Sequence, residues 1–507
     1  MSEQGRGDGG HRGQGGQGGH RGPRQRSRTA PSARARRADV PRSTAHQVLR
    51  AVSQDGAYAN LELPRALRRA RLSGRDAAFA TELTYGTLRM QGLYDAIIAE
   101  AAQRPVGRLD GGVLDVLRMG AHQVLGMRVP EHAAADQSVA LARSAAGQGA
   151  AGLVNAVMRR IGERSREEWL DLVTPGEPVV ERLAVSRSHP VWVVKALRQA
   201  LLGHGAATKD DVDTVLEQLL EAHNVPAEVS LVARPGLAEV DELLEAGAQP
   251  GRWSPFAAEL AGGDPGSIDA VRDGRAAVQD EGSQLLALAL AAVPVDGRGD
   301  GAPERWLDLC AGPGGKAGLL AALALRQGAD LVANEVSEHR TELVRQSLRA
   351  ASEAAGAAGR EIVVRQGDGR EVGDEEPATY DRVLVDAPCT GLGALRRRPE
   401  ARWRRQPGDL VGLGPLQRDL LASGIDATRP GGVIAYATCS PHLSETTFVV
   451  RDVLKKREDV EVLDARELLA GSATATLDGL GDGPHAQLWP HLHGTDGMFL
   501  ALLRKKD

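Results

Sequence analysis

Residues 306–318 read WLDLCAGPGGKAG, an apolar strand followed by a Gly-Pro turn and the start of a helix. Such a turn brings backbone N–H groups close to a bound ligand. The segment does not match the phosphate-binding pattern G-x-x-x-x-G-K-[ST], because Cys310 replaces the first Gly and Ala317 replaces the hydroxyl residue. It also lacks the G-x-G-x-x-G spacing of dinucleotide-binding loops. We expect a loop for another ligand; an ordinary strand-to-helix turn is the alternative.

From about residue 271 to the end, short apolar runs alternate with amphipathic helical segments such as Lys316–Leu325 and Glu338–Leu348. This alternation is typical of βαβ units and a mostly parallel sheet. The predicted strands are Arg305–Leu309, Leu331–Asn334, Ile362–Arg365, Arg382–Val385, Gly432–Ala437, Val460–Leu463 and Met498–Leu503. The pattern predicts a doubly wound, Rossmann-like α/β domain that binds ligands at the carboxyl ends of its strands.

Three acidic residues stand at or just after successive predicted strands: Glu335, Asp368 and Asp386. Because the carboxyl ends of parallel strands share one edge of a sheet, we expect these residues to converge on one crevice. A carboxylate at the second strand can accept hydrogen bonds from ribose hydroxyls, and one after the third can accept from an adenine amino group. A single acid at a strand end is often a helix cap, but three in order favour a nucleoside site.

The chain has three cysteines, Cys310, Cys389 and Cys439. An odd number without C-x-x-C spacing fits neither a disulfide framework nor a zinc site, so we expect reduced thiols and no metal. The segments DAPCTGLG at 386–393 and YATCSPH at 436–442 each place a cysteine just after a buried strand. Two thiols would then face the same crevice as the acids; the alternative is that each is a small buried apolar residue.

Two thiols beside a nucleoside-binding crevice suit methylation of a pyrimidine. C5 of cytosine is a weak nucleophile, so a thiolate must first add to C6 and raise the electron density at C5. A base then removes the C5 proton, and a second thiolate can serve. A carboxylate near N3 and N4 stabilises the adduct. These requirements do not decide which cysteine attacks.

The first 270 residues divide into three parts. Residues 1–40 are rich in Gly and Arg and carry a net charge of +6, whereas the rest of the chain carries −11. We expect a disordered tail, which could bind RNA nonspecifically or simply increase solubility. Residues 41–165 show helical spacing of apolar residues and predict an all-α domain. Residues 166–270 mix helical and strand-like patterns, which predicts a linker and a small α/β region for RNA recognition.

The motifs of the chain resemble the RsmB (Sun/Fmu) family of 16S ribosomal RNA cytosine-C5 methyltransferases. The resemblance rests on VQDEGSQLLALAL at 278–290, LDLCAGPGGK, DAPCTGLGALRRRPEARW, TCSPHLSE and GTDGMFLALLRK, which occur in the family's order. The helical part resembles the RNA-binding fold of the antitermination factor NusB, in RDAAFATELTYGTLR at 75–89 and LVNAVMRR at 153–160. Two departures are small: many members have Asp where this chain has Glu335, and Ala where it has Gly312.

The resemblance implies a role for each motif. S-adenosyl-L-methionine is the implied cofactor, with Glu335 on its ribose, Asp368 on its adenine, and Asp386 between cofactor and target base. Cys439 is the implied nucleophile, and Cys389 the residue that helps to release the product. The implied cofactor loop consists of Cys310, Ala311, Gly312, Pro313, Gly314, Gly315 and Lys316.

Basic residues are the candidates for contact with RNA phosphates. Arg159 and Arg160 lie at the end of a predicted helix, and a second basic run follows Asp386 directly. That run contains Arg396, Arg397, Arg398, Arg402 and Trp403, followed by Arg404 and Arg405. A position beside the catalytic motif suits the backbone of an RNA with a flipped base. Solvated helix ends and loops are the alternative.

The sequence thus predicts a cytosolic, monomeric, S-adenosylmethionine-dependent enzyme that methylates C5 of a cytosine in small-subunit ribosomal RNA. No apolar run is long enough to span a membrane, and no signal peptide opens the chain. A methyltransferase of transfer RNA or another RNA is an alternative within the same chemistry. A noncatalytic RNA-binding or antitermination-type factor is an alternative of another class. A DNA cytosine methyltransferase would use the cysteine of the P-C motif and a large DNA-recognition region instead.

Overall fold

The structure is a computed structural model that describes residues 38–297, 299 and 301–506. The predicted tail at residues 1–40 therefore lies almost entirely outside the described residues. Its last residues begin the folded chain, because the Asp39 carboxylate accepts a hydrogen bond from the Arg42 amide (2.9 Å) and caps a helix that starts at Val40. Among the described residues, no helix combines the length and apolarity needed to cross a bilayer.

The first part of the chain is all-helical, as predicted. Apolar residues at helical spacing, such as Val48, Leu49 and Val52, are buried in one shared core. The sixth helix contains a kink at Gly147, where φ is 85°. The helices are α1 Val40–Gln54, α2 Ala59–Ala70, α3 Gly74–Arg89, α4 Gln91–Ala102, α5 Gly111–Leu125, α6 Glu131–Gly162, α7 Arg166–Val173, α8 Val179–Ser186, α9 Val191–Gly203 and α10 Val212–Ala222.

A small antiparallel sheet follows these helices. Its four strands lie in the order β2-β3-β1-β4. They are β1 Val229–Ala233, β2 Gln249–Pro250, β3 Ala257–Leu260 and β4 Ala276–Val278, with the short helices α11 Val240–Glu245 and α12 Asp269–Arg272 between them. The last of these strands lies past residue 270, where the sequence analysis places a domain boundary; the boundaries themselves stay predictions.

The C-terminal part contains a second, larger sheet with the order β10-β12-β9-β8-β5-β6-β7. Its strands are β5 Arg305–Asp308, β6 Asp330–Glu335, β7 Ile362–Gln366, β8 Tyr380–Asp386, β9 Thr428–Thr438, β10 Val460–Leu463, β11 Ala486–Gln487 and β12 Phe499–Lys505. The five strands β5 to β9 run parallel, and β12 is antiparallel to β9 and β10. All seven predicted strands are present. Among the described strands of this sheet, the two-residue β11 was missed, because two residues show no periodicity.

Helices cover both faces of the larger sheet. They are α13 Glu281–Ala292, α14 Gly315–Arg326, α15 Glu338–Ala357, α16 Val372–Glu375, α17 Ala401–Arg404, α18 Asp409–Ala427, α19 Thr447–Leu454, α20 Ala465–Gly471 and α21 Pro490–His493. Alternate residues of one strand enter different cores: Leu384 packs in one cluster, whereas Val383 and Val385 pack in the other. This is the predicted Rossmann-like arrangement, and it leaves the loops after the parallel strands free to form a site.

Candidate active site

The register of the parallel strands brings three motif loops to one edge of the sheet. Asp308 near the end of β5 pairs with Leu384 of β8, and Asp386 at the end of β8 pairs with Ala437 of β9. The chain leaves all three strands at the same edge. The loops at residues 310–316, 387–393 and 439–442 therefore meet there, as the sequence predicts.

Two of the three thiols are neighbours at this edge. The Sγ atoms of Cys389 and Cys439 are 3.4 Å apart, and both side chains are partly exposed. A hydrogen bond from Cys389 lowers the pKa of Cys439, and the nearby charges of Lys316 and Arg398 act in the same direction. The same hydrogen bond, together with burial, raises the pKa of Cys389 well above its usual range. Cys439 is therefore the thiol that ionises first, a distinction that residue spacing alone does not give.

Lys316 and Asp386 form an ion pair beside the thiols. The Lys316 Nζ atom donates to Asp386 Oδ2 at 2.9 Å. Burial opposes the charge on Lys316, but the Asp386 carboxylate outweighs it, and the pKa of Lys316 is raised. The pair fixes the carboxylate at the end of β8 and adds a positive charge close to Cys439.

The loop at residues 310–316 has the close backbone approach that its glycines predict. A Cβ atom on Gly312 would lie 2.2 Å from Glu335 Oε2, so a larger residue there would require the Glu335 carboxylate to shift. The Gly312 amide instead donates to that oxygen at 3.1 Å, and the Ser337 amide donates to Oε1 at 2.9 Å. At Gly314, φ is 108°, which favours glycine. Glu335 thus braces the loop from the end of β6.

Asp308 is a buried acid that the sequence analysis missed. Its side chain is 1% exposed, and neither carboxyl oxygen has a hydrogen-bond partner among the described residues. Burial first, and the negative charge of Asp386 second, raise the pKa of Asp308 to about 8. A buried carboxyl without a partner is costly unless a cationic or hydrogen-bonding ligand meets it. The available signal was a charged residue inside the apolar strand WLDL.

Asp368 lies after β7, as predicted, and is partly exposed. Its carboxylate accepts from the Arg370 main chain at 3.0 Å and pairs with the Arg370 guanidinium at 2.5 Å. Hydrogen bonding to that guanidinium lowers the pKa of Asp368. The acid at this strand end is therefore ionised at neutral pH.

Glu445 connects the two cysteine loops and was also missed. The Glu445 side chain is fully buried. One carboxylate oxygen accepts from the Thr390 amide (2.8 Å), next to Cys389. The other accepts from the hydroxyl of Thr390 and from that of Ser440 (2.6 Å), next to Cys439. One carboxylate therefore holds the neighbours of both sulfur atoms.

The chain matches two family models and several curated proteins. Residues 300–504 match the model for the 16S rRNA methyltransferase RsmB/F, and residues 39–163 match the NusB family. The ribosomal RNA small subunit methyltransferase B of Pseudomonas putida is 31% identical over 477 residues, which cover 92% of this chain and 98% of that protein. The chain belongs to the RsmB/F methyltransferase family. A methyltransferase of Mycobacterium tuberculosis is 49% identical over 476 residues, covering 93% of this chain and 98% of that protein.

Membership of the RsmB/F family makes this protein an RNA methyltransferase with S-adenosylmethionine as its cofactor. The predictions of family, NusB-like domain and cofactor are confirmed. The crystal structure of PH0851 has the same fold, with a TM-score of 0.71 and 22% identity, over 93% of this chain and 100% of that chain.

The basic run of this RsmB/F chain corrects one prediction. Arg402 is fully buried and does not meet a phosphate. Its guanidinium donates to the carbonyls of Arg89 (3.0 Å), Ser188 (3.2 Å) and His223 (2.7 Å), and to Asn224 Oδ1 (2.8 Å). Arg402 therefore fastens the catalytic domain to the helical part of the chain.

The remaining residues of the run differ in exposure. Arg396 and Arg397 are held in a mostly buried ion cluster with Asp280 and Asp496, at distances of 2.7 to 3.2 Å. Trp403 packs so closely on Gly92 that a Cβ there would lie 2.4 Å from the ring. Arg398 is exposed. Among these residues, Arg398 is the one that is most free to meet RNA.

Arg159 and Arg160 lie at the end of α6, as predicted. The Arg159 side chain is 85% exposed, with an ion pair to Glu163 at 3.9 Å. Arg160 donates to the Ala101 carbonyl at 2.7 Å. Both contacts stay within the helical domain, and a role of these arginines in RNA binding stays a prediction. Among the described residues, no group of His, Cys, Asp and Glu could hold a metal ion.

Proposed function

We propose that this protein transfers a methyl group from S-adenosylmethionine to C5 of one cytosine in 16S ribosomal RNA, through a covalent bond from Cys439 to C6. The observation that carries this proposal is the pair of sulfur atoms 3.4 Å apart at the carboxyl edge of the sheet. One thiol of the pair has a lowered pKa and the other a raised pKa. A thiolate nucleophile and a second, initially protonated thiol are what the reaction needs.

In the first step the Cys439 thiolate adds to C6 of the base, which makes C5 nucleophilic. When bound, the cofactor would supply a methyl group on a positively charged sulfur, whose bond to that methyl group would break as C5 takes it, leaving a neutral thioether. Asp386, held by Lys316 at 2.9 Å, contacts the N3 and N4 edge of the cytosine and stabilises the adduct. The carboxylate is positioned in advance by this ion pair, so little reorganisation is needed during the reaction.

In the second step Cys389 acts as the base. Before the reaction, the hydrogen bond with Cys439 and the negative charge of Cys439 raise the pKa of Cys389. The bond to C6 turns Cys439 into a neutral thioether, which removes these two causes and leaves burial as the main cause that still raises the pKa of Cys389. The pKa of Cys389 then falls, its thiol gives its proton to water at this partly exposed edge, and the resulting thiolate takes the C5 proton while Cys439 leaves C6 as a thiolate. One interaction, the hydrogen bond between the two thiols, supports this order of the two roles.

The residues present fit the cofactor. The cradle at Gly312 and Gly314 admits a ligand close to the backbone. The orphaned Asp308 carboxyl suits one of the two cationic groups of S-adenosylmethionine. Glu335 accepts from two backbone amides and pairs with the Arg340 guanidinium at 2.7 Å, which leaves acceptor capacity on Oε2 for a ribose hydroxyl. Asp368 would accept from the adenine amino group, and the loop Cys310 to Lys316 would line the cofactor site.

The small ribosomal subunit is the proposed source of the RNA. The support is the name of the Pseudomonas putida relative and the NusB-like domain in front of the catalytic one. In this proposal the protein acts as a monomer in the cytoplasm, and its helical and small-sheet regions bind the RNA. A transfer RNA or another RNA is the second candidate, because the catalytic motifs specify base and cofactor rather than the RNA.

Methylated-cytosine sequencing tests the proposal. Ribosomal RNA from a strain with the gene and from a deletion strain is compared, and the purified protein is then added to RNA from the deletion strain. We expect one cytosine of 16S RNA to lose its methyl group in the deletion strain and to regain it in vitro. Loss of a site in transfer RNA instead would favour the second candidate.

A further inference from the structure

A basic surface runs from the outer face of α2 to the start of α3, although residues 41–507 are acidic overall. Five exposed arginines lie within residues 65–75: Arg65, Arg68 and Arg69 on α2, Arg71 directly after it, and Arg75 in the first turn of α3. The acids of the surrounding stretch are Asp55, Glu62 and Asp76, and Glu62 pairs with Arg69. Residues 41–507 together carry a net charge of −11. The stretch from Arg65 to Arg75 is therefore positively charged within a part of the chain whose net charge is negative.

Helix geometry explains why the arginines inside α2 share its outer face. Ala59, Leu63 and Ala66 are buried in the helical core at a spacing of four and three residues. The remaining positions, including Arg65 and Arg68, point away from that core and are exposed. Among the described residues, no carboxylate forms an ion pair with Arg65, Arg68, Arg71 or Arg75. Free guanidinium groups on one face suit an extended anionic partner.

The start of α2 is fastened to the basic run of the catalytic domain. The Ala59 amide, at the first residue of α2, donates to Glu400 Oε1 at 3.3 Å. The Arg404 guanidinium donates to the carbonyls of Ala57 and Val52. The turn before α2 therefore rests on α17, the short helix that follows the P-C motif.

The residue directly after α17 contacts the catalytic loop. Arg405 donates through Nε to the Thr390 carbonyl at 3.2 Å and through Nη2 to the Cys389 carbonyl at 3.4 Å. Only one short helix thus separates the turn before α2 from the loop of Cys389.

An exposed aromatic ring and a free arginine lie along this connection. Tyr58 is 46% exposed, and the Cζ atoms of Arg398 and Arg404 lie 5.9 and 5.0 Å from its ring centroid. Arg398 is also close enough to Cys439 for its charge to act on that thiol. Aromatic rings with arginines beside them are typical of surfaces that bind unpaired nucleotides, through stacking and phosphate contacts.

We propose that Tyr58, the arginines of α2 and Arg71 form an RNA-binding surface that binds the single strand flanking the target base and leads it away from Cys439, across Arg398. We call it the α2 surface. This inference rests on the proposed function and adds to it the part of the protein that binds the RNA flanking the target base. The helix rises about 18 Å over its 12 residues, enough for several nucleotides.

The test is the salt dependence of RNA binding by the triple variant Arg65→Gln, Arg68→Gln, Arg71→Gln. Each lost phosphate contact reduces the slope of log K against log salt by about 0.7 for single-stranded RNA, so the triple variant should lose about 2. Its KM for a long RNA should rise on the order of tenfold at moderate salt, with an unchanged kcat. Gln retains helix propensity and exposure, so the fold should persist.

A matched variant removes the same charge elsewhere. Arg272, Arg345 and Arg349 are exposed side chains on α12 and α15, and their replacement by Gln should leave the slope at the wild-type value. Tyr58→Ala should weaken binding of single-stranded RNA about tenfold, whereas Tyr58→Phe keeps the stacking face and should not. Equal slopes for the α2 triple variant and wild type would overturn the inference.

Failure of the α2 surface and failure of the proposed function give different results. Both proteins are compared here with Cys389→Ala added, because that substitution traps the adduct. A short RNA with only the target cytosine and its immediate neighbours should then form the Cys439 adduct equally well with and without the triple substitution. If neither protein forms that adduct, the proposed chemistry is wrong, while the salt slope with long RNA still decides the α2 surface. If both form it and the slopes are equal, only the α2 surface is wrong.

Discussion

The Sγ atom of Cys389 lies 3.4 Å from that of Cys439, and the two thiols have opposite pKa shifts. This relationship leads to a pair of variants with different outcomes. Cys439→Ala should abolish methyl transfer, because no thiolate adds to C6. Cys389→Ala should still form the bond to C6 and should trap RNA on the protein, because the C5 proton is not removed.

Denaturing gel electrophoresis with labelled RNA measures the trapped species. Cys389→Ala should give a shifted band that depends on the cofactor, and the double variant Cys389→Ala, Cys439→Ala should give none. A shifted band with Cys439→Ala alone would assign the attack to the other cysteine.

The pH dependence of adduct formation should report the hydrogen bond between the thiols. In wild type, adduct formation rises with pH as Cys439 ionises, and the rise lies at lower pH than for an ordinary thiol because Cys389 donates to Cys439. Cys389→Ala removes the donor, so the rise should move to higher pH. Cys389→Ser keeps a donor and should move it less. Single-turnover rates over pH 6 to 10, roughly the range where thiols ionise, measure the shift. Superimposable profiles for all three proteins would contradict the hydrogen-bond effect.

Glu445→Gln should loosen both cysteine loops without removing a group that touches the substrate. The amide nitrogen of Gln would face hydroxyl and amide donors at Thr390 and Ser440, leaving buried groups unpaired at about 1–3 kcal/mol each. We expect kcat to fall by about 10- to 100-fold, with a smaller change in the cofactor KM. Steady-state kinetics measure this, with Thr390→Ser as a control that keeps the hydroxyl. An unchanged kcat would show that the loops hold their places without Glu445.

Asp308→Asn should change how stability depends on pH. The folded chain holds the Asp308 proton more tightly than the unfolded chain, because burial raises the pKa from 3.8 to about 8. The stability that this proton provides is fully present below pH 3.8 and is lost as pH rises towards 8. Asn does not titrate, so the variant should lose less stability over that range.

Denaturant unfolding at several pH values measures this difference, and Asp269→Asn, at a side chain that is 75% exposed, is the control. Affinity for S-adenosylmethionine should also fall by about tenfold or more, because a neutral amide pairs less well with a cation. Parallel stability curves for Asp308→Asn and wild type would exclude the titration of Asp308.

The sequence predicts the parts of this protein that local patterns encode. Apolar runs bounded by turn residues give all seven main strands of the larger sheet, and the glycines of the 310–316 loop give the cofactor cradle. The positions of Cys389 and Cys439 directly after strands place both thiols at one edge, because parallel strands align their carboxyl ends.

Long-range contacts are the part that the sequence does not show. In the sequence, Arg402 is one of several cations in a basic run that we expected to be exposed. Its hydrogen-bond acceptors lie 178 to 313 residues earlier in the chain. Glu445 reads as an acid at the end of TCSPHLSE, but its partner Thr390 is 55 residues away. A single sequence does not show which residue a guanidinium or a carboxylate contacts. The roles of Arg402 and Glu445 therefore become visible only in the structure.

The contacts between Arg402 and the helical part have a consequence for exchanging that part between homologous proteins. Three of its four acceptors are backbone carbonyls, those of Arg89, Ser188 and His223, which any amino acid can provide. The side chains at these positions are thus free to vary while the attachment persists. We expect a chimera with the RNA-recognition half of a distant homologue to keep the contact with this catalytic domain. This requires that Arg402 is kept and that the backbone of the new half has the same course around these three carbonyls.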